Sequence, residues 1–248
     1  MNNKIIRLNS SPKNFGETPD ELEPSMFKSK LPIQNTHSYY ENDELGLYVG
    51  LWDTTDMIEK SSAYSCDEFM WLLEGEVEIE NNRTGTKQKV KAGEAFIIPK
   101  GFDCQWHQSG YLRKFYMISE HPDEDIPENP VIESIVKLKE NMINETLSAT
   151  VPLIFKGDYS KLEYKIAYKN HNGKFYSGSW SGDSFESEFR QFPVNELVYL
   201  LEGTLILTDE TGRQYQFEKN DIFFVAQGTI CKWKSEVAVE VFFAVLES

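Results

Sequence analysis

Apolar and polar residues alternate with a period of two through Glu76-Val-Glu-Ile-Glu80. That spacing puts Val77 and Ile79 on one face of a strand and the glutamates on the other. Thr204-Leu-Ile-Leu-Thr208 repeats the pattern, and each run ends in a glycine-bearing turn, Arg83-Thr-Gly85 or Glu210-Thr-Gly212, which predicts a hairpin. Denser apolar runs follow, Ala95-Phe-Ile-Ile98 and Ile222-Phe-Phe-Val225, closing on Pro99-Lys-Gly101 and Ala226-Gln-Gly228. Many short strands with regular turn signals predict an all-β sandwich or barrel.

The two sets of strands belong to an internal duplication. Glu68-Phe-Met-Trp-Leu-Leu-Glu-Gly75 is matched by Glu196-Leu-Val-Tyr-Leu-Leu-Glu-Gly203, 128 residues on, and Gly50 and Trp52 match Gly178 and Trp180. One residue is then lost in a turn, and at an offset of 127 the pairs are Gly101/Gly228, Cys104/Cys231, Trp106/Trp233 and Phe115/Phe242. A period this long means two copies of one domain, not a solenoid of short repeats. The expected organisation is an N-terminal arm over 1–42, a first domain over 43–121, a connector over 122–148 and a second domain over 149–248. The connector opens with the acidic, proline-rich stretch His121–Pro130. After it, Ile132, Ile135, Val136, Met142 and Ile143 fall at roughly helical spacing, so a short amphipathic helix is expected there.

Charge narrows the partners. A formal net charge of −15 over 248 residues, with no cluster of Lys and Arg, argues against nucleic acid. No apolar run is long enough to span a membrane, and the start of the chain lacks the apolar core of a secretory signal. Of the three cysteines, two are repeat-equivalent and so sit in separate domains, which argues for a reducing, cytoplasmic setting.

In each half the order of signals resembles the cupin superfamily: a Glu, six residues, a Gly, a hairpin, then Gly-x5-Pro-x-Gly. These are Glu68, Gly75, Gly93, Pro99 and Gly101 in the first copy, and Glu196, Gly203, Asn220, Ala226 and Gly228 in the second. The added Gly-x-Trp and Gly-x-x-Cys-x-Trp resemble the branch that holds ethanolamine-utilisation Q-type proteins and single-barrel proteins of unassigned function. The resemblance implies a bicupin, with two tandem double-stranded β-helix (jelly-roll) barrels, an N-terminal arm and a short helical connector. It covers most of residues 45–118 and 173–247. It also implies pseudo-symmetric barrels in a monomer, or a homodimer.

Metal-binding cupins place two His before the Glu and a third just past the Pro-x-Gly turn, a donor set suited to a first-row divalent ion. Here the first two positions hold Ser62 and Tyr64, or Arg190 and Phe192, and the last holds Cys104 or Cys231. None of the four histidines, His37, His107, His121 and His171, maps to a motif position. No metal or other cofactor is therefore expected; Glu68, Cys104, Glu196 and Cys231 are the fallback ligands. The cysteines also read as small buried hydrophobes.

Strand parity turns Glu68, Met70 and Leu72 to one face, as it does Glu196, Val198 and Leu200. A carboxyl on an apolar face must be solvated, paired or protonated, so it marks an open barrel mouth or a hydrogen-bonded strand entry. Trp106 and Trp233 follow the cysteines on the inward face, where they fill the barrel or wall a pocket. Arg190 is positioned to pair with Glu196 or to hold an anionic group. The leading expectation is a small-molecule-binding or regulatory bicupin rather than an enzyme, with its ligand against Tyr64, Glu68, Met70, Cys104 and Trp106. Arg190, Glu196, Cys231 and Trp233 are the corresponding candidates in the second barrel. The rival is an enzyme, organised like the ureidoglycine aminohydrolases, using a Glu as general acid/base or a Glu/Cys metal site.

Overall fold

The computed structural model describes residues 4–127, 130, 132–139 and 162–248. The chain divides into two compact units, Asn9–Lys137 and a second made of residues up to Leu8 together with Leu138–Ser248. Each unit is a pair of antiparallel sheets, and the two units share one strand plan.

In the first barrel the six-stranded sheet runs in the order Val136–Leu138, Ala95–Ile98, Asp67–Glu74, Leu112–Ser119, Leu47–Thr54, Gln34–Asn42. The smaller sheet runs Met57–Ile58, Asp103–Gln108, Glu76–Asn81, Lys87–Lys91, with Ser62–Ala63 also paired to Asp103–Gln108. In the second barrel the large sheet runs Ile5–Arg7, Ile222–Val225, Asn195–Glu202, Val239–Leu246, Phe175–Gly182, Glu163–Lys169. Its partner runs Phe185–Glu186, Ile230–Ser235, Thr204–Asp209, Gln214–Glu218, with Arg190–Gln191 beside Ile230–Ser235. Val77 and Ile79 are buried between partly exposed glutamates, as the period of two predicts. Each barrel holds its own apolar cluster, one around Met70, Phe96 and Trp106 and one around Val198, Phe223 and Trp233.

The edge strands are exchanged along the chain. Ile5–Arg7, which precedes the first barrel, pairs with Ile222–Val225 of the second, while Val136–Leu138, which precedes the second, lies beside Ala95–Ile98 of the first. The two segments are alike in sequence, Ile5-Ile-Arg-Leu8 against Ile135-Val-Lys-Leu138. They are alike in contacts too. Ile5 joins the second core and Ile135 the first, and Arg7 pairs with Asp221 at 2.5 Å as Lys137 pairs with Glu94 at 2.7 Å. Asp221 and Glu94 are themselves repeat-equivalent. Covering a sheet edge in this way removes an open row of backbone donors and acceptors.

Two expectations change. The described part of the connector forms the strand Val136–Leu138 where helical spacing predicts a helix, and residues 140–143 of that helix lie outside the described residues. Residues 34–42, read from sequence as arm, form a full strand along Leu47–Thr54. The arm before it closes over the first barrel: Phe27 bridges to Glu59 and is buried in that core.

The glycine signals have specific causes. A Cβ on Gly50 would lie 2.3 Å from the Tyr116 hydroxyl, and one on Gly178 would lie 1.8 Å from the Lys165 carbonyl. Only glycine lets those groups approach the strand. The Gly93 turn has φ 84°, and Asn220, which replaces it in the second copy, keeps φ 72°. Asparagine tolerates that left-handed conformation, so the turn survives the loss of its glycine.

Candidate functional site

In the first barrel the strand Asp67–Glu74 turns Glu68, Met70 and Leu72 inward, and all three are buried. Its neighbour Leu112–Ser119 turns Leu112, Lys114, Tyr116 and Ile118 the same way, with Leu72 opposite Lys114 and Glu68 opposite Ile118. The Lys114 side chain runs along the inner face until its ammonium donates to Glu68 Oε1 at 2.7 Å and meets Met70 Sδ at 3.1 Å. Lys114 is 7% exposed and Glu68 4% over their side chains, so this is a buried ion pair. Tyr64 donates its hydroxyl to Glu68 Oε2, which occupies the second carboxylate oxygen. Burial and the adjacent Glu68 charge push the Tyr64 phenol well above its ordinary value, so it stays a donor.

Two tryptophans flank the ammonium. The rings of Trp52 and Trp106 meet edge to face with centroids 6.1 Å apart, and Lys114 Nζ lies 4.8 Å from one centroid and 5.1 Å from the other. The negative ring faces thus share the cation with Glu68. Above this floor opens a cavity of about 450 Å³, in the size range of small-ligand sites. Its wall includes Tyr48, Trp52, Tyr64, Trp106 and Tyr116, with Glu59 as a further carboxyl. Burial raises the Glu59 carboxyl to about 7, with Lys114 opposing the rise and Glu68 adding to it.

The sequence candidates divide accordingly. Tyr64, Glu68 and Trp106 line the cavity. Met70 sits behind them as a partner of Lys114, and Cys104 is packed into the core, its thiol pushed up to about 12 chiefly by burial. Lys114 and Glu59 were not candidates. The available signal for Lys114 was a charged residue at an inward position between Leu112 and Tyr116, where the second copy has Val241.

The second barrel has the same frame and different contents. Phe192 stands for Tyr64 and stacks on Trp233 at 5.4 Å, while Val241 stands for Lys114. Phe192, Trp180, Phe223 and Phe243 are all essentially sealed from solvent, and Trp233 and Cys231 are buried among them. Glu196 is 0% exposed, and neither of its oxygens has a hydrogen-bond partner among the described residues. Burial lifts its carboxyl to about 8, partly offset by the Trp180 indole, so it is a neutral acid near pH 7. Of the two roles expected for Arg190, the pairing with Glu196 is not made: neither Glu196 oxygen has a hydrogen-bond partner among the described residues, and Arg190 lies across from Cys231, partly exposed. His107 faces outward and meets Glu80 at 2.9 Å, as strand parity predicts.

The metal implied by the cupin frame does not fit these donors. In the first barrel Glu68 already has a cation 2.7 Å from one oxygen and a phenol on the other, and Cys104 is a protonated thiol. In the second, Arg190 and Phe192 stand where imidazoles would, and Cys231 is likewise protonated, its thiol raised to about 11 by burial. Among the described residues no three His, Cys, Asp or Glu side chains converge as a ligand set.

Comparison with known proteins agrees with this frame. The model of the EutQ-like cupin domain matches residues 47–116 and again 171–242. No curated protein matches. A protein of unknown function of the DUF861 family from Pseudomonas syringae pv. tomato shares the fold at TM-score 0.73 and 21% identity, covering 98% of this chain and 100% of its own. A cupin 2 conserved barrel domain protein from Leptotrichia buccalis follows at TM-score 0.58 and 11% identity, over 89% and 91% of the two chains. Salicylate 1,2-dioxygenase from Pseudoaminobacter salicylatoxidans, solved as a mutant with gentisate, aligns at TM-score 0.54 and 14% identity over 82% and 69%. At these identities the likeness concerns the fold. With two matched regions in register on two barrels of one strand plan, the chain belongs to the EutQ-like cupin domain family as a bicupin.

Proposed function

We propose that this bicupin binds a small molecule in its first barrel without a metal, the Lys114 ammonium supplying the fixed cation of the site. The observation that carries this reading is the buried Glu68–Lys114 pair, held between Trp52 and Trp106 at the floor of the cavity. A lysine ammonium has three N–H donors. One meets Glu68 and one Met70, which leaves the third for an acceptor on a ligand. The second barrel, with Phe192 and Val241 at the matching places, serves as a packed structural copy. Three free, buried cysteines support a reducing compartment, and the cytoplasm is the setting proposed. Among the described residues no helix is long and apolar enough to cross a membrane.

A thermal-shift screen of small metabolites against the full chain tests this. Compounds that raise the Tm should lose their effect in Trp106→Ala and in the double variant Lys114→Met/Glu68→Gln. They should keep it in Cys231→Ala, in the second barrel. Shifts that survive both first-barrel changes would overturn the assignment.

Glu59 favours a second reading, an enzyme working by general acid/base chemistry. Its carboxyl faces the cavity with a pKa of about 7, suited to proton exchange near neutrality. Glu68 is held in its ion pair and Glu196 in a filled core, so neither fits that role as well. A pH–rate profile unchanged by Glu59→Gln would remove this reading.

A further inference from the structure

The cavity of the first barrel carries more negative than positive charge. Among the described residues that line it, Lys114 is the one cation, against the carboxyls of Glu41, Glu59 and Glu68. Glu68 and Lys114 neutralise each other at 2.7 Å. Glu41 is at the exposed rim, while Glu59 is partly buried and its carboxyl has no hydrogen bond or ion pair among the described residues. Its backbone is fixed, by the bridge to Phe27 and by its N–H donating to the Trp106 carbonyl at 3.0 Å, so the carboxyl is presented by a rigid edge.

An anion that took the third N–H of Lys114 would lie beside the carboxyls of Glu68 and Glu59, like charges in a partly dry site. A cation meets the opposite situation. It finds the Glu59 carboxyl, which has no ion pair among the described residues, and the faces of Tyr48 and Tyr116, while Glu68 offsets the charge of the resident Lys114 ammonium. We propose that the cavity takes a small organic amine with an apolar or aromatic body, its ammonium paired with Glu59 and its body against Tyr48 and Tyr116. This names the ligand class for the binding site proposed above and rests on that reading.

The pairing is linked to protons. The groups that face Glu59 are Lys114 and Glu68 from the large sheet, Tyr64 from the turn before it and Cys104 from the smaller sheet. Nearby on the chain, Lys28 bonds Ser61 through its ammonium, and Lys60 follows Glu59 directly. Tyr64 and Cys104 keep their protons near neutrality, where the Glu59 carboxyl titrates. Amine affinity therefore rises as Glu59 ionises.

Isothermal titration of the full chain with benzylamine, benzyl alcohol and benzoate tests the class of ligand. Affinity scales with the competent, ionised fraction, so benzylamine should bind about tenfold more tightly at about pH 8 than at about pH 6. It should also exceed both other probes at the higher pH. Glu59→Gln should weaken benzylamine about tenfold and flatten its pH dependence, leaving benzyl alcohol unchanged. Glu59→Asp, which keeps the charge, should retain the dependence. Benzoate binding as well as benzylamine, or Glu59→Gln leaving benzylamine unchanged, would overturn the amine while the cavity reading stands. If none of the three binds at millimolar concentration, both readings fall.

Discussion

Lys114 Nζ lies 2.7 Å from Glu68 Oε1, and at the equivalent places in the second barrel Val241 is packed into the core while Glu196 has no hydrogen-bond partner among the described residues. One duplicated carboxyl has thus taken two states. Beside an ammonium and a phenol it is an ion-paired, hydrogen-bonded group; in a filled apolar core it is a neutral acid. Sequence repetition preserved the position, and the surrounding residues set its chemistry.

Breaking the pair should cost more than removing it. Lys114→Met leaves Glu68 buried with a phenol and no cation, and should destabilise the first barrel by about 3–5 kcal/mol. Adding Glu68→Gln removes the stranded charge, so the double variant should recover a large part of that loss. Urea unfolding followed by tryptophan fluorescence checks it; a double variant no more stable than Lys114→Met would contradict the pairing.

Glu196 should make the second barrel weaker as pH rises. Its carboxyl titrates near 4.5 when unfolded and about 8 when folded. Between those values the unfolded chain has lost a proton that the folded chain keeps, so stability falls with rising pH across that window. Below it both states are protonated, and above it both are ionised. Glu196→Met removes the slope and should stabilise the barrel at about pH 8 by a few kcal/mol, with a smaller gain at about pH 5. Denaturation midpoints of both proteins across that range provide the check.

Deleting residues 1–8 should loosen the second barrel selectively. Ile5–Arg7 covers the edge of Ile222–Val225 and buries Ile5 and Leu8. Amide exchange should accelerate over Ile222–Val225 and stay unchanged over Ala95–Ile98, whose edge is covered by Val136–Leu138. Hydrogen-exchange mass spectrometry resolves the two segments.

The cysteines should be inert in the folded protein. All three are buried, and burial raises Cys104 to about 12 and Cys231 to about 11. Iodoacetamide at about pH 8 should leave them unmodified until the chain is unfolded, because the thiolate is the reactive form. Prompt labelling of Cys104 in the native state would mean a more open first barrel than this one.

The fold was legible because two independent signals agreed: the strand alternation in Glu76–Glu80 and the turn spacing repeated at Pro99–Gly101 and Ala226–Gly228. The exchanged strands were not. Ile5–Leu8 and Ile135–Leu138 are too short to announce a repeat, and both make their pairing with residues far along the chain. Helical spacing at Ile132, Ile135 and Val136 gave way to edge pairing, since strand formation depends on the neighbour available more than on local preference. At the site, Glu68 and Trp106 followed from parity and repeat position, and Tyr64 from its place in the cupin motif. Lys114 belongs to no motif and is not shared between the repeats, yet the difference between Lys114 and Val241 separates a polar cavity from a packed core.

At Glu68 the Lys114 ammonium holds the place where the cupin frame admits a metal. Elemental analysis of untagged protein, incubated with excess divalent metal and desalted, tests it most directly. Bound zinc, manganese, iron and nickel should each stay well below one per chain in the wild type. Stoichiometric metal that disappears in Glu68→Gln would contradict it and give the lead to a metal-dependent enzyme.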